Sequence, residues 1–161
     1  MRCIIGYDNI EKLADNHAII SVMNHREHFE SLTSLVGHWT GTASDGHQLR
    51  VDYFLHADDS VLMEHWHLRS TDALTLYHLD GEQLMATHYC PLCNQPRLNL
   101  VEVQGGKLRF AYVSATNLQS TSDEHQHSFE LKLIDCQNFW RSESYLAAGN
   151  LMTEALTYVR D

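Results

Sequence analysis

From Gly37 to Arg160, apolar and polar residues alternate with a period of two in short runs separated by turn-forming residues. Leu49, Val51, Tyr53 and Leu55 alternate with Gln48, Arg50 and Asp52, as the two faces of a half-buried strand require. Asp45-Gly46 and Asp80-Gly81 tolerate positive φ and so mark tight hairpins, and Asp58-Asp59, Gly105-Gly106 and Gly149-Asn150 punctuate other runs. The pattern predicts about ten strands, near residues 37–42, 48–55, 61–69, 73–79, 82–89, 97–103, 107–115, 125–134, 138–146 and 151–160. No helical period interrupts them, so neighbouring strands are expected to pair antiparallel as a meander. Closing the sheet removes its exposed edges, which favours a closed up-and-down β-barrel. Barrels of this strand number commonly enclose a cavity for one small ligand.

Before Gly37 the period lengthens to three or four. Asp8 with Glu11 fits a capping box, and Ile10, Leu13, Ala14, Ala18 and Ser21 continue at helical spacing to about Asn24. Phe29, Leu32, Leu35 and Val36 predict a second, short helix leading into Gly37. Residues 1–36 are therefore expected to form an N-terminal helical segment packed on a barrel of residues 37–161, in one mainly β domain. At 161 residues such a domain buries roughly two thirds of its unfolded surface.

Composition narrows the partners. A hydrophobic fraction of 43% with 20% charged residues describes a folded soluble chain rather than a disordered one. The net charge of −10 argues against nucleic acid and against an anionic membrane surface, because phosphate binding needs a basic face. No apolar run reaches membrane-spanning length, and the run near Met1 is too short for a signal peptide. A cytoplasmic location without membrane insertion is the expectation, with the oligomeric state open. Cys3, Cys90, Cys93 and Cys136 are few for a disulfide framework, so free thiols or ligands are expected.

The candidate chemistry is concentrated in Thr87 to Arg97, which holds His88, Cys90, Cys93, Asn94, Gln95 and both prolines. Thr116-Asn117 and His125-Gln126-His127 form a second polar cluster that looks like its partner. Strand alternation puts His88 on the face of Leu84 and Ala86, and puts His125 and His127 on the face of Phe129 and Leu131. Three inward imidazoles with an open fourth position suit a first-row metal able to activate water, so His88, His125 and His127 are candidate metal ligands. Inward polar residues that hydrogen-bond one another are the alternative, with Asn94, Gln95, Thr116 and Asn117 as partners. Cys90-x-x-Cys93 supplies only two ligands and lacks the βαβ setting of a redox motif. In Glu64-His65-Trp66-His67 the histidines are expected outside, and Glu64 inside as a carboxylate pairing with Arg97 or a histidine. Trp39 is expected in the barrel floor, as the resemblance of Gly37-His38-Trp39 to Gly-x-Trp barrel openings implies. The faces of Arg141 and Glu143, alternating with Trp140, are left open. No phosphate-cradling glycine loop, dinucleotide fingerprint or nucleophile elbow occurs.

These residues carry a resemblance. Phe29-x-x-Leu32 followed by Leu35-Val36-Gly37-His38-Trp39-Thr40-Gly41 resembles the opening of calycin barrels, in which a short helix precedes a Gly-x-Trp strand. Tyr77-His78-Leu79-Asp80-Gly81, Thr87-His88-Tyr89-Cys90, Asn94-Gln95-Pro96-Arg97, Ala115-Thr116-Asn117 and His125-x-His127 resemble a group of bacterial lipocalin-like proteins whose chemistry is unsettled. Cys93 stands where that pattern has Gly, Ser114 where it has Asp, and Leu98 where it has Met. A more distant similarity is to haem-binding nitrobindin-type barrels. The resemblance implies the barrel and a polar site, with His78, His88, Asn94, Gln95, Arg97, Thr116, Asn117 and Glu64 as ligand-binding candidates. Three functions remain: a cavity for a small hydrophobic or amphipathic ligand, a metal-dependent (zinc-like) or acid–base enzyme acting on a small organic substrate, and haem binding through one inward histidine.

Overall fold

The change of period at Gly37 is a change of backbone. The computed structural model describes residues 24–161, so the helix expected from Asp8 to Asn24 lies outside the described residues. Helix α1 (His25–Leu32) opens with a capping box: Asn24 Oδ1 accepts from Glu27 N at 3.0 Å, and Glu27 Oε2 accepts from Asn24 N at 2.7 Å. A single 3₁₀ turn, Thr33–Leu35, brings the chain to the barrel. Phe29, Leu32 and Leu35 are buried, and burying side chains of this size contributes about 1.5–3 kcal/mol each.

Ten strands follow: β1 (Gly37–Thr42), β2 (Gln48–His56), β3 (Val61–His67), β4 (Asp72–Asp80), β5 (Gln83–Tyr89), β6 (Gln95–Gln104), β7 (Lys107–Thr116), β8 (His125–Leu133), β9 (Asn138–Ala147) and β10 (Asn150–Arg160). Each pairs antiparallel with the next, and β10 returns to β1, closing a ten-stranded antiparallel barrel. Alternation along each strand divides the residues. In β3, for example, Leu62, Glu64 and Trp66 are buried while Met63, His65 and His67 are partly exposed. The β9–β10 turn falls one residue earlier than the Gly149-Asn150 signal: Ala148 and Gly149 take φ of 48° and 79°, which matches the right-handed twist of a tight hairpin.

One barrel end is sealed around Trp39. Its indole Nε1 donates to Leu35 O at 2.7 Å, its ring meets Phe139 edge-on at 4.9 Å, and the Arg160 guanidinium lies 4.1 Å above it. Arg160 also donates to Val36 O at 2.9 Å and Ser34 O at 2.7 Å, tying β10 to the incoming chain. Further along β1, the Tyr158 ring lies so close to Gly41 that an added Cβ would meet it at 2.7 Å. Helix α1 lies near the β4–β5 hairpin, where His25 Nδ1 accepts from Leu84 N at 3.0 Å. The other end, bounded by the β1–β2, β3–β4, β5–β6, β7–β8 and β9–β10 connections, is open. Among the described residues no helix is long and apolar enough to cross a membrane.

Candidate functional site

Alternation turns the members of a polar network inward, and closure of the sheet brings them together at the centre of the barrel. Glu64 of β3 is completely buried, and its carboxylate collects four donors: Tyr53 OH at 2.7 Å, Tyr77 OH at 2.7 Å, Trp66 Nε1 at 2.6 Å and Arg141 Nη1 at 2.8 Å. Burial pushes the Glu64 carboxyl up, but the Arg141 charge and the three neutral donors outweigh it and hold the group below its ordinary range. The inward carboxylate expected at Glu64 is therefore present, but its partner is Arg141 and not Arg97 or a histidine. Arg97 alternates with the buried Pro96 and Leu98 and faces outward, exposed.

Arg141 connects this network to a cavity. Its Nε donates to Glu143 Oε1 at 2.6 Å, and its guanidinium lies 4.2 Å from the Phe129 ring centre and 5.2 Å from that of Trp66. Nη2 is buried and finds no acceptor among the described residues. The cavity, about 640 Å³, opens at the barrel end away from α1. Leu49, Leu68, Ala73 and Leu156 supply its apolar wall; Arg141, Glu143, His88 and Tyr145 supply polar groups.

His88 is where the sequence placed it, facing inward and 2% exposed. Nδ1 lies 3.0 Å from Thr75 Oγ1 and Nε2 lies 3.2 Å from Tyr145 OH. Burial lowers its pKa, and the opposing pull of Glu143 and Glu64 does not restore it, so the imidazole is neutral near pH 7. Burial likewise pushes the Tyr145 phenol well up, so it keeps its proton and can donate to His88 Nε2. Both ring nitrogens of His88 are thereby engaged, and the pair is without charge.

The two other expected metal ligands do not join His88. His125 is buried, 2% exposed, but the period-two alternation that put His125, His127 and Phe129 on one face is broken between Gln126 and Ser128, where the register against β9 shifts by one residue. Gln126 pairs with Tyr145 and is completely buried, whereas His125 Nδ1 meets Asp123 O at 2.6 Å and its ring packs on Tyr112 at 4.5 Å. Among the described residues no group of three or more His, Cys, Asp or Glu side chains is disposed to hold a metal ion.

The remaining candidates form a clamp at the rim. Asn94 Nδ2 donates to Glu124 O at 2.8 Å, Asn117 Nδ2 donates to Cys93 O at 2.9 Å, and Thr116 Oγ1 donates to Gln95 Oε1. The β5–β6 and β7–β8 loops are thereby stitched together, and each sends one residue, Pro91 and Glu124, to the cavity wall. Cys93 takes φ of 62°, a conformation easiest for glycine, which gives a backbone reason for the Gly in the resembling pattern. Cys90 and Cys93 are free thiols, and burial pushes the Cys90 thiol up. His78 lies between the inward Tyr77 and the outward end of β4, on the face opposite the cavity. His65 and His67 are outside, as expected; His67 Nε2 and His38 Nδ1 each meet Asp52 at 2.8 Å.

The sequence left the faces of Arg141 and Glu143, alternating with Trp140, open, and Tyr145 was not among its candidates; Ser142 and Ser144 alternate with the same set. The two serines were the signal: small polar residues suit the solvent face of β9 and leave the charged set inside.

No family model matches the chain, and no curated protein matches it. Its fold is similar to the crystal structure of a protein of unknown function from the DUF3598 family of Nostoc punctiforme, with TM-score 0.54 and 14% identity over 81% of this chain. The match covers 49% of that protein, so this chain spans about half its length.

Proposed function

We propose that the protein binds a small amphipathic molecule in the barrel cavity. The apolar body lies against Leu49, Leu68, Ala73 and Leu156, and the polar end reaches Arg141, His88 and Tyr145. The observation that carries this reading is the cavity itself, an apolar wall closed by the polar side chains of Arg141, Glu143, His88 and Tyr145. A volume of about 640 Å³ lies in the range of small-molecule sites. The lipocalin-like resemblance of the sequence points the same way.

Trp66 is on the cavity wall and reports on its contents. Titration with N-phenyl-1-naphthylamine, a neutral apolar fluorophore, is expected to quench Trp66 and to saturate at one equivalent. Ala73→Phe fills the cavity from its wall and is expected to abolish saturation while leaving a cooperative melt. Unsaturable quenching, or quenching unchanged in a folded Ala73→Phe protein, would refute the reading.

A further inference from the structure

Closure of the barrel is incomplete along β10. Against β9 the strand pairs without a break from Asn150 to Val159, but against β1 it pairs only at Tyr158, Val159 and Arg160. β1 ends at Thr42, so the stretch from Asn150 to Thr157 runs past it with no strand on that side among the described residues. Two hydrogen bonds fix the direction of its backbone groups: Arg160 N donates to Gln137 O on the β9 side, and Asp161 N donates to His38 O of β1. Backbone groups alternate sides along a strand, so Leu151, Thr153, Ala155 and Thr157 point their N–H and C=O into the gap. Such an edge is ordinarily blunted by lysine, proline or a bulge. This one carries none of them, and its one charged residue, Glu154, faces the cavity. Leu151 and Met152 on it are 56% and 66% exposed, more than any other large apolar side chain among the described residues. The lining of the cavity also crosses the gap, from Met152, Glu154 and Leu156 to Leu49 of β2.

The stretch is complementary to itself. A two-fold axis perpendicular to the sheet pairs residues that share a face. Placed at Thr153, it sets Thr153 opposite itself and Leu151 opposite Ala155 on the outer face, and Met152 opposite Glu154 on the cavity face. The N–H and C=O groups of Leu151, Thr153 and Ala155 then meet their counterparts as hydrogen-bonded pairs, and facing threonines are a favourable cross-strand pair. The next register, centred on Glu154, sets two carboxylates face to face and is disfavoured by their repulsion. Length agrees with the Thr153 register: Thr157 there meets the turn at Gly149, so the added strand fills the gap and stops at the end of β1. We infer that the protein forms a two-fold dimer by antiparallel pairing of β10 with β10 of a second copy, centred on Thr153, which walls the side of the cavity. One strand pair is a small interface and each copy carries a net charge of −10, so the dimer exchanges with monomer and is strengthened by salt.

Sedimentation velocity of the full chain from about 10 μM to about 1 mM, in about 0.3 M salt, tests this. The mean mass is expected to rise from 18.5 kDa toward twice that value, and to rise later at low salt. Ala155→Pro removes an N–H that points into the gap and spares the β9 ladder, and is expected to raise the dissociation constant about tenfold or more. If a thermal melt shows that variant unfolded, Leu151→Lys, at an exposed position, replaces it. Register is read by trapping: Thr153→Cys faces its own copy with Cα atoms about 5.5 Å apart, within disulfide range. Oxidised glutathione is expected to link it into a covalent dimer in excess of both the wild type and Leu151→Cys. A mean mass fixed at 18.5 kDa throughout overturns the dimer and leaves the edge to a strand of another protein. A dimer indifferent to the edge substitutions, or trapped no better by Thr153→Cys than by Leu151→Cys, overturns the pairing.

Discussion

Replacing Arg141 with methionine removes the counter-charge of a carboxylate that has no access to solvent. Methionine keeps most of the buried volume against Phe129 and Trp66. Glu64 is then left with three neutral donors, Tyr53, Tyr77 and Trp66, and no cation. Removing one partner of a buried ion pair costs about 3–5 kcal/mol, a large part of the 5–15 kcal/mol that stabilises a typical domain. The sign of the pH dependence follows from Glu64. In the wild type its folded pKa is lowered, so its contribution is present above the unfolded value near 4.5 and is lost as pH falls through the folded one. Without Arg141, burial dominates and the folded pKa rises above the unfolded value. The variant is then least disadvantaged at low pH, and its deficit grows as pH rises through the new pKa. Urea unfolding with linear extrapolation at pH 5 and pH 8 measures this directly. The expected result is a loss of about 3–5 kcal/mol at pH 8 that is smaller at pH 5, with Glu64→Gln/Arg141→Met recovering part of it. A single variant within about 1 kcal/mol of wild type, or a double variant no better than the single, would refute the account of the network.

Other expectations follow from separate features. Gly41→Ala places a methyl 2.7 Å from the Tyr158 ring and is expected to lower stability by about 1–3 kcal/mol, read as a lower urea midpoint with unchanged m. Ala148→Asn suits φ of 48° better than alanine and is expected to raise stability by about 0.5–1 kcal/mol in the same assay. Burial pushes the Asp52 carboxyl up, but hydrogen bonds from His38, His67 and Arg50 bring it down to about 2. Its contribution is present above the unfolded value and is lost as pH falls toward 2, so Asp52→Asn is expected to cost about 1–2 kcal/mol at pH 7, shrinking below pH 4.

The ten strands, their antiparallel order and the short helix before Gly37 were legible because each depends on local periodicity. A period of two sets which side chains share a face, and paired turn residues set where the chain reverses. Glu64, Trp66 and His88 were placed inside, and His65 and His67 outside, on the same ground. His125 is buried as expected, but the register shift at Gln126–Ser128 breaks the alternation that put His125, His127 and Phe129 on one face, and no residue type announces it. Asn94, Gln95, Thr116 and Asn117 were expected as partners of the inward histidines; in the structure they bond backbone and each other between the β5–β6 and β7–β8 connections, and His88 meets Thr75 and Tyr145 instead.

By itself, then, the chain's pattern of residues determined the barrel, its turns and the inward carboxylate. Tertiary structure decided the partner of that carboxylate. Seventy-odd residues separate Glu64 from Arg141 in the sequence, and only closure of the sheet brings β3 and β9 to face each other across the interior. Alternation is a property of one strand, whereas an ion pair across a barrel is a property of the radius and stagger at which all ten strands close.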